Sequence, residues 1–176
     1  MGLPPAKLLV WVAERLACIK IEGRANFASS IDFKMLINEL QQKGFHCYII
    51  DLSECVLMDS TFLGVLAGFG LKMGQDPSTT NGQTIELFNP NPRISELLDN
   101  LGVLHLFKVF NGSLSLPQEM AAHVPAAVAA PTPEELKRNC LEAHRILMNI
   151  SPDNVPKFKE VAQFLAEDLK KDKTSP

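Results

Sequence analysis

The sequence predicts an α/β fold, because segments typical of β-strands alternate with segments that carry apolar residues at helical spacing. The clearest example lies at residues 47–71. An apolar run at 47–52 is rich in β-forming residues and suits a strand buried on both faces. After a polar break and a second apolar patch, apolar residues recur from Leu63 to Leu71 at helical spacing. The other elements are predicted around this strand–loop–helix unit.

The residues before this unit predict a β-hairpin and an amphipathic helix. Strands at 8–13 and 16–22 flank a short turn, and the second strand alternates an apolar face with a partly polar face. Ser29 and Ser30 are candidate N-caps for the helix, and Gly44 is placed to end it. If the strands on either side of this helix are parallel, the three elements form a right-handed β-α-β unit.

The residues after the unit predict three smaller elements. A strand at 84–89 is stopped by Pro90, and a helix at 93–100 is closed by Gly102. A last short strand is predicted over 104–110, where apolar residues alternate loosely. These elements complete one domain over residues 1–112.

The C-terminal third has a different character. Residues 113–131 form an Ala/Pro tract, which is typical of a semi-rigid or disordered spacer. Two helical patterns then predict a helical hairpin over 132–172, followed by a short tail at 173–176. Thr132 is the predicted N-cap, with Glu135 three residues later as in a capping box.

Each predicted hairpin helix carries an apolar stripe that it cannot bury alone. The stripes consist of Leu136, Cys140, Ala143 and Leu147 in the first helix and of Phe158, Val161, Ala162, Leu165 and Leu169 in the second. The hairpin therefore docks on the α/β domain, joins a second copy in a homodimer or binds another protein. Docking or dimerisation is favoured, because an apolar stripe normally faces a core.

The composition limits the classes of function. Of 176 residues, 46% are apolar and 21% charged, as in a globular protein that buries a core. A net charge of −3 gives no support for nucleic-acid binding, and no apolar run approaches the roughly 18 residues that membrane insertion requires. The N-terminal residues fit neither a signal peptide nor a myristoylation motif. We therefore predict a cytoplasmic protein.

The sequence predicts neither a metal site nor a catalytic centre. The four cysteines lack C-x-x-C spacing, and the four histidines pair with no cysteine or carboxylate at ligand spacing. We therefore predict structural or surface roles for both. The chain contains no phosphate-cradling glycine motif, no nucleophile elbow and no plausible Ser/His/Asp set. These absences predict a protein that binds no cofactor and is not an enzyme.

The candidate functional residues are Asp59, Ser60 and Thr61, at the predicted start of the helix in the 47–71 unit. Each can accept a hydrogen bond from the unpaired backbone N–H groups of the first helical turn. A hydroxyl at that place is also within reach of a kinase, and a phosphate there would add roughly two negative charges. The tripeptide alone leaves both interpretations open, a plain N-cap and a phosphorylation site.

The run D-L-S-x-C-V-x-M-D-S-T-x-L-G-V-L at residues 51–66 resembles the signature of STAS domains, specifically of anti-sigma factor antagonists of bacterial partner-switching systems. The resemblance covers roughly residues 8–110, and the order of the elements matches too. It implies a STAS fold, in which a small mixed sheet has helices packed mainly on one face.

The family pattern at this site is D-S-[ST]-G-L-G, and the serine after the aspartate is the usual phosphorylation site. The resemblance therefore implies Ser60 as phosphoacceptor, Asp59 as the residue that orients the site, and Thr61 as a second acceptor. Phe62 departs from the pattern by replacing the usual glycine, and residues 23–27 replace the usual G-E-L-D or G-D-L-D. The partner-binding residues predicted on this basis are Asp59, Ser60, Thr61, Phe62 and Asn26.

The resemblance implies a signalling module that binds an anti-sigma factor or a serine protein kinase of the partner-switching type. Phosphorylation of Ser60 would abolish this binding. The alternative is a constitutive STAS scaffold or oligomerisation module that uses the C-terminal hairpin, with Ser60 only as a helix cap. Phe62 and the added hairpin favour this alternative.

Overall fold

The computed structural model describes residues 6–75, 84–114, 121–123 and 130–174. Within these residues seven strands form one mixed sheet, and five helices accompany it. The strands are β1 (Lys7–Ala13), β2 (Leu16–Ala25), β3 (Cys47–Asp51), β4 (Cys55–Met58), β5 (Thr84–Phe88), β6 (Lys108–Phe110) and β7 (Ala121–His123). The helices are α1 (Phe27–Gln42), α2 (Ser60–Gln75), α3 (Pro92–Asn100), α4 (Pro133–Ile150) and α5 (Val155–Thr174).

The sheet has the strand order β6-β5-β3-β2-β1-β7, and β4 pairs with the C-terminal end of β2 outside this order. β1 is antiparallel to its neighbours β2 and β7, whereas β2, β3, β5 and β6 pair in parallel. The β2-α1-β3 connection is thus the predicted β-α-β unit with parallel strands. The predicted fold is confirmed as a mixed sheet with helices mainly on one face and a C-terminal helical hairpin.

One face of the sheet forms the core, and the other stays partly exposed. Four buried side chains lie in one row across neighbouring strands, namely Val10, Ile19, Ile50 and Leu87. The adjacent row on the opposite face is half-buried and contains Leu9, Lys20, Asp51 and Phe88. The prediction that β3 is buried on both faces is therefore wrong, because charged side chains keep the second face in contact with water.

Two local predictions need correction. Asn26, not Ser29 or Ser30, is the N-cap of α1, and Ser29 completes a capping box with it. The helix begins earlier than predicted because Asn26 and Ser29 stand at the spacing that this box requires. The predicted strand over 104–110 is a 3₁₀ turn, Leu104–Leu106, followed by the short strand β6.

The predicted helical hairpin is present and docks on the α/β domain. Thr132 caps α4, and Glu135 completes the capping box, as predicted. α4 packs against α2 and α1, and α5 packs against α4. Inside the predicted spacer, β7 pairs with β1, whereas residues 115–120 and 124–129 lie outside the described residues. The exact domain boundaries stay a prediction.

The contact between α2 and α4 depends on a close approach of the two backbones. A Cβ atom at Gly64 of α2 would lie 2.5 Å from the backbone oxygen of Ala143 in α4. A Cβ atom at Gly68, one turn later, would lie 2.9 Å from Cδ1 of Ile146. Glycine at these positions therefore allows α4 to lie directly on α2.

Candidate functional site

Asp59 joins the N-terminal ends of two helices. Its Oδ1 accepts a 2.8 Å hydrogen bond from the backbone N–H of Phe62, in the first turn of α2. Its Oδ2 accepts a 2.7 Å hydrogen bond from the backbone N–H of Phe27, at the start of α1. Of the two interpretations that the tripeptide leaves open, the structure shows a helix cap at Asp59, and the carboxylate also fixes α1 relative to α2.

Burial raises the pKa of Asp59 above its usual range. Hydrogen bonds from backbone N–H groups and the nearby imidazole of His144 act in the opposite direction, but burial has the larger effect. The charged form of Asp59 is therefore less stable at this position than it would be in water. A phosphate on the adjacent Ser60 would place further negative charge beside it.

Ser60 is the first residue of α2, and a side chain from α4 contacts its hydroxyl. Ser60 is half-buried, and its Oγ lies 3.0 Å from Nε2 of His144. Thr61 is only 4% exposed, and its Oγ1 lies 3.3 Å from Sγ of Cys140. The hairpin thus covers both of the predicted phosphoacceptor hydroxyls.

His144 is held between three neighbours. It is 5% exposed, and its ring stacks on Phe158 of α5 with a centroid distance of 4.8 Å. Its Nδ1 lies 3.6 Å from Sγ of Cys140, while Nε2 faces Ser60. Burial lowers the pKa of His144, and the charge of Asp59 only partly opposes this shift. A neutral imidazole therefore has a partner at each ring nitrogen in either tautomer.

The burial of His144 predicts that acid weakens the docking of the hairpin. The pKa of docked His144 lies below the ordinary value of 6.5. The neutral ring therefore stabilises the docked state fully at pH values above 6.5. This stability is lost as the pH falls below it, since protonation then favours the undocked state. We expect faster amide hydrogen exchange in residues 139–147 at about pH 5.5 than at about pH 7.5, after correction for intrinsic rates.

His144→Gln is the control for this prediction, because glutamine stays neutral at both pH values. The other titratable groups that face the ring are Asp59 and Cys140, and burial raises the pKa of both. Protonation of Asp59 removes the desolvation penalty of its negative charge. This carboxyl therefore stabilises the docked state as the pH falls, which is opposite to the effect of His144. An equal acid sensitivity of the wild type and His144→Gln would therefore contradict the assignment to His144.

The remaining predicted partner-binding residues occupy different environments. Asn26 caps α1 and is half-buried, so the structure places it near Asp59 at the same end of the two helices. Phe62 is completely buried and packs against Phe33 with a ring centroid distance of 4.9 Å. Its side chain fills the core and cannot meet a partner in this arrangement. The part of all five residues in partner binding stays a prediction.

Cys140 and His144 are the site residues that sequence reasoning missed. Both were predicted to have only structural or surface roles. They stand four residues apart, so they share one face of α4, and this spacing is visible in the sequence. The sequence does not show which surface that face meets, because the contact with Ser60 joins residues 84 positions apart.

The described residues hold no group of three side chains arranged to bind a metal ion. No helix among them has the length and apolar character needed to span a membrane. The site consists of a hydroxyl pair at a helix N-terminus, bordered by the half-buried carboxylate of Asp59 and the buried imidazole of His144.

The fold and the position of the Asp-Ser-Thr tripeptide define the class of protein. The sequence model of the STAS domain family matches residues 9–113, which is more than half of the chain. The chain therefore belongs to the STAS domain family, as the signature at residues 51–66 implies. No curated protein sequence matches the chain significantly.

Solved structures with a similar fold include anti-sigma factor antagonists. A candidate antagonist of Thermotoga maritima is 18% identical, with a TM-score of 0.51 over 60% of this chain and 86% of that chain. The unphosphorylated form of the Bacillus protein SpoIIAA is 16% identical, with a TM-score of 0.51 over 60% and 88%. An antagonist of Mycobacterium paratuberculosis is 15% identical, with a TM-score of 0.51 over 60% and 85%. At these identities the likeness establishes the shared fold alone.

Proposed function

We propose that this STAS protein is a non-catalytic signalling module of the anti-sigma factor antagonist type. It binds an anti-sigma factor or a serine protein kinase of the partner-switching type, and phosphorylation of Ser60 ends this binding. The observation that carries the proposal is Ser60 itself, the first residue of α2, directly after the capping Asp59. The alternative acceptor Thr61 is less suitable, because its side chain is buried.

Electrostatics supply the switch. A phosphate on Ser60 would carry roughly two negative charges at neutral pH. It would lie beside Asp59, whose carboxylate is already destabilised by burial. A partner that covers this surface would have to remove both charges from water, and the desolvation penalty opposes binding.

Two exposed apolar side chains border the site and suit a protein contact. Phe27, whose backbone N–H bonds to Asp59, is 49% exposed. Val56 of β4, three residues before Asp59, is 57% exposed. Large apolar groups next to a switchable polar group provide affinity, whereas the polar group provides the control.

Ser60→Asp is expected to reduce binding of the partner by about 30-fold or more, since an unpaired charge would be buried in the contact. The measurement is quantitative affinity capture with the full chain from the cells that produce it. Ser113→Asp is the matched control, because Ser113 is exposed and lies on a different segment. Equal capture by Ser60→Asp and Ser113→Asp would refute the switch.

Phosphopeptide mass spectrometry on the same isolates completes the test. We expect phosphate on Ser60 at higher occupancy than on the buried Thr61. A complete absence of phosphate across growth and stress conditions would contradict regulation by phosphorylation.

A constitutive scaffold is the second candidate, and the surface of α5 favours it. Phe164 is 65% exposed and Val161 is 38% exposed, so α5 presents apolar groups to the solvent. A scaffold of this kind would capture the same proteins whether or not Ser60 is replaced. The capture experiment therefore separates the two candidates.

A further inference from the structure

We infer that the C-terminal hairpin, α4 with α5, is an autoinhibitory cover that limits access to Ser60. This inference rests on the proposed function and deepens it, because it names the regulation of the same site. In the docked state α4 occupies the surface that a kinase or partner needs. Access to Ser60 then requires the hairpin to move away from α2.

The first argument is the contact at the hydroxyl itself. Phosphorylation forms a bond between Ser60 Oγ and the γ-phosphorus of ATP, breaks the bond from that phosphorus to ADP, and transfers the hydroxyl proton to a base of the kinase. This step requires Oγ to approach the phosphorus in line. In the docked state the Oγ atom bonds instead to Nε2 of His144, at 3.0 Å.

The second argument is the fit between the two helices. Ala143 and Leu147 of α4 are 1% and 0% exposed, and the backbone of Ala143 lies against Gly64. Asn139 of α4 donates a buried 2.8 Å hydrogen bond to Oγ of Ser30 in α1. The hairpin is thus in direct contact with α1 and α2, next to the switch residue.

The third argument is the mixed character of this interface. The apolar side chains of Ala143 and Leu147 belong to the core and hold the hairpin in the docked state. Other contacts join polar side chains, namely Ser60 with His144, Thr61 with Cys140 and Ser30 with Asn139. Water can satisfy these groups once the hairpin leaves, so their separation costs less than the exposure of apolar surface. The outer face of α5 with its exposed Phe164 adds no burial that would hold the hairpin down.

The test measures how fast a reagent reaches position 60 in the full chain. The thiol introduced by Ser60→Cys is alkylated with iodoacetamide under reducing conditions, and peptide mass spectrometry separates it from Cys140. Gly64→Ala is combined with Ser60→Cys to displace α4 from α2, because a Cβ atom at position 64 collides with the backbone of Ala143. Gly74→Ala is the matched control on the same helix, since a Cβ there meets nothing within 4 Å.

We expect Gly64→Ala to accelerate alkylation at position 60 about fivefold or more, because overpacking typically displaces an equilibrium by about 5- to 150-fold. Gly74→Ala should leave the rate unchanged. Equal rates in the two backgrounds would overturn the inference. Circular dichroism of both variants establishes that the fold is retained.

A second pair of variants keeps the test valid if Gly64→Ala disturbs α2 itself. Ala143→Leu enlarges the same contact from the side of the hairpin and leaves the STAS residues unaltered. Arg145→Leu adds the same side chain on the exposed side of α4. Faster alkylation with Ala143→Leu but not with Arg145→Leu supports the cover, and no difference between them overturns it.

The cellular experiment separates this inference from the proposed function. With native Ser60, Gly64→Ala should raise the phosphate occupancy of Ser60 above that of Gly74→Ala. Equal occupancy in the two variants would show that the cover does not limit the kinase and would overturn the inference alone. No phosphate in either variant would refute the proposed switch, while the alkylation rates would still decide whether the hairpin covers position 60.

Discussion

Phe62→Ala is expected to lower the free energy of unfolding by about 3–5 kcal/mol, the range for removal of a buried aromatic ring. Phe62 is 0% exposed, and its ring packs against Phe33, which in turn contacts Phe69. The loss combines the transfer of the ring from the interior with the cavity that it leaves.

Urea denaturation followed by the fluorescence of Trp11, the single tryptophan of the chain, measures this loss. Phe164→Ala is the matched control, because Phe164 is 65% exposed and its loss should change stability by less than about 0.5 kcal/mol. A Phe62→Ala variant as stable as Phe164→Ala would mean that the ring does not support the core.

Asn154→Asp is expected to lower the free energy of unfolding by a similar amount, about 3–5 kcal/mol at neutral pH. This is the range for an uncompensated buried charge. Asn154 is 0% exposed and donates hydrogen bonds of 2.9 Å to the carbonyl of Leu101 and 2.8 Å to that of Leu147. It thereby ties the turn of the hairpin to the end of α3. A carboxylate at this place can only accept, so it would face two carbonyl oxygens without a donor.

Acid should partly rescue this variant. The burial and the two carbonyl groups raise the pKa of the introduced carboxyl in the folded state. The stabilising protonated form is present at low pH and is lost as the pH rises through that raised pKa. Urea titrations at acid and neutral pH test this, with Asn149→Asp on the exposed side of α4 as control. Equal losses in Asn154→Asp and Asn149→Asp would contradict the role of the buried amide.

Local signals explain why most of the fold could be predicted. The capping box from Thr132 to Glu135 depends on residues three positions apart, so the sequence displays it directly. The tripeptide Asp59-Ser60-Thr61 indicates a helix cap for the same reason, although it does not show which of its residues is the cap. The wrong N-cap of α1 also has a local cause, because Asn26 and Ser29 form a second capping box and Ser29 is itself a residue type that caps helices.

In the candidate site, too, the sequence predicts local features but not contacts between distant residues. The sequence predicts Ser60 at the start of a helix, and the resemblance to the family implies that it is the phosphoacceptor. The sequence could not show that Phe62 points into the core, since a position in the first turn of a helix allows both orientations. Nor could it show the partners of Cys140 and His144, whose spacing indicates a shared helix face and not the surface that this face meets.

The sequence by itself determined the STAS family, most of the strands and helices, and the Asp-Ser-Thr tripeptide at the entrance of α2. Each of these depends on residues that are neighbours in the chain or one helical turn apart. Only the tertiary structure decided that α4 lies on α2 and that His144 meets the hydroxyl of Ser60. An apolar stripe indicates that one face of a helix is buried, but it does not indicate which surface covers that face. The surface is decided by the packing of residues far apart in sequence, here of Gly64 against Ala143.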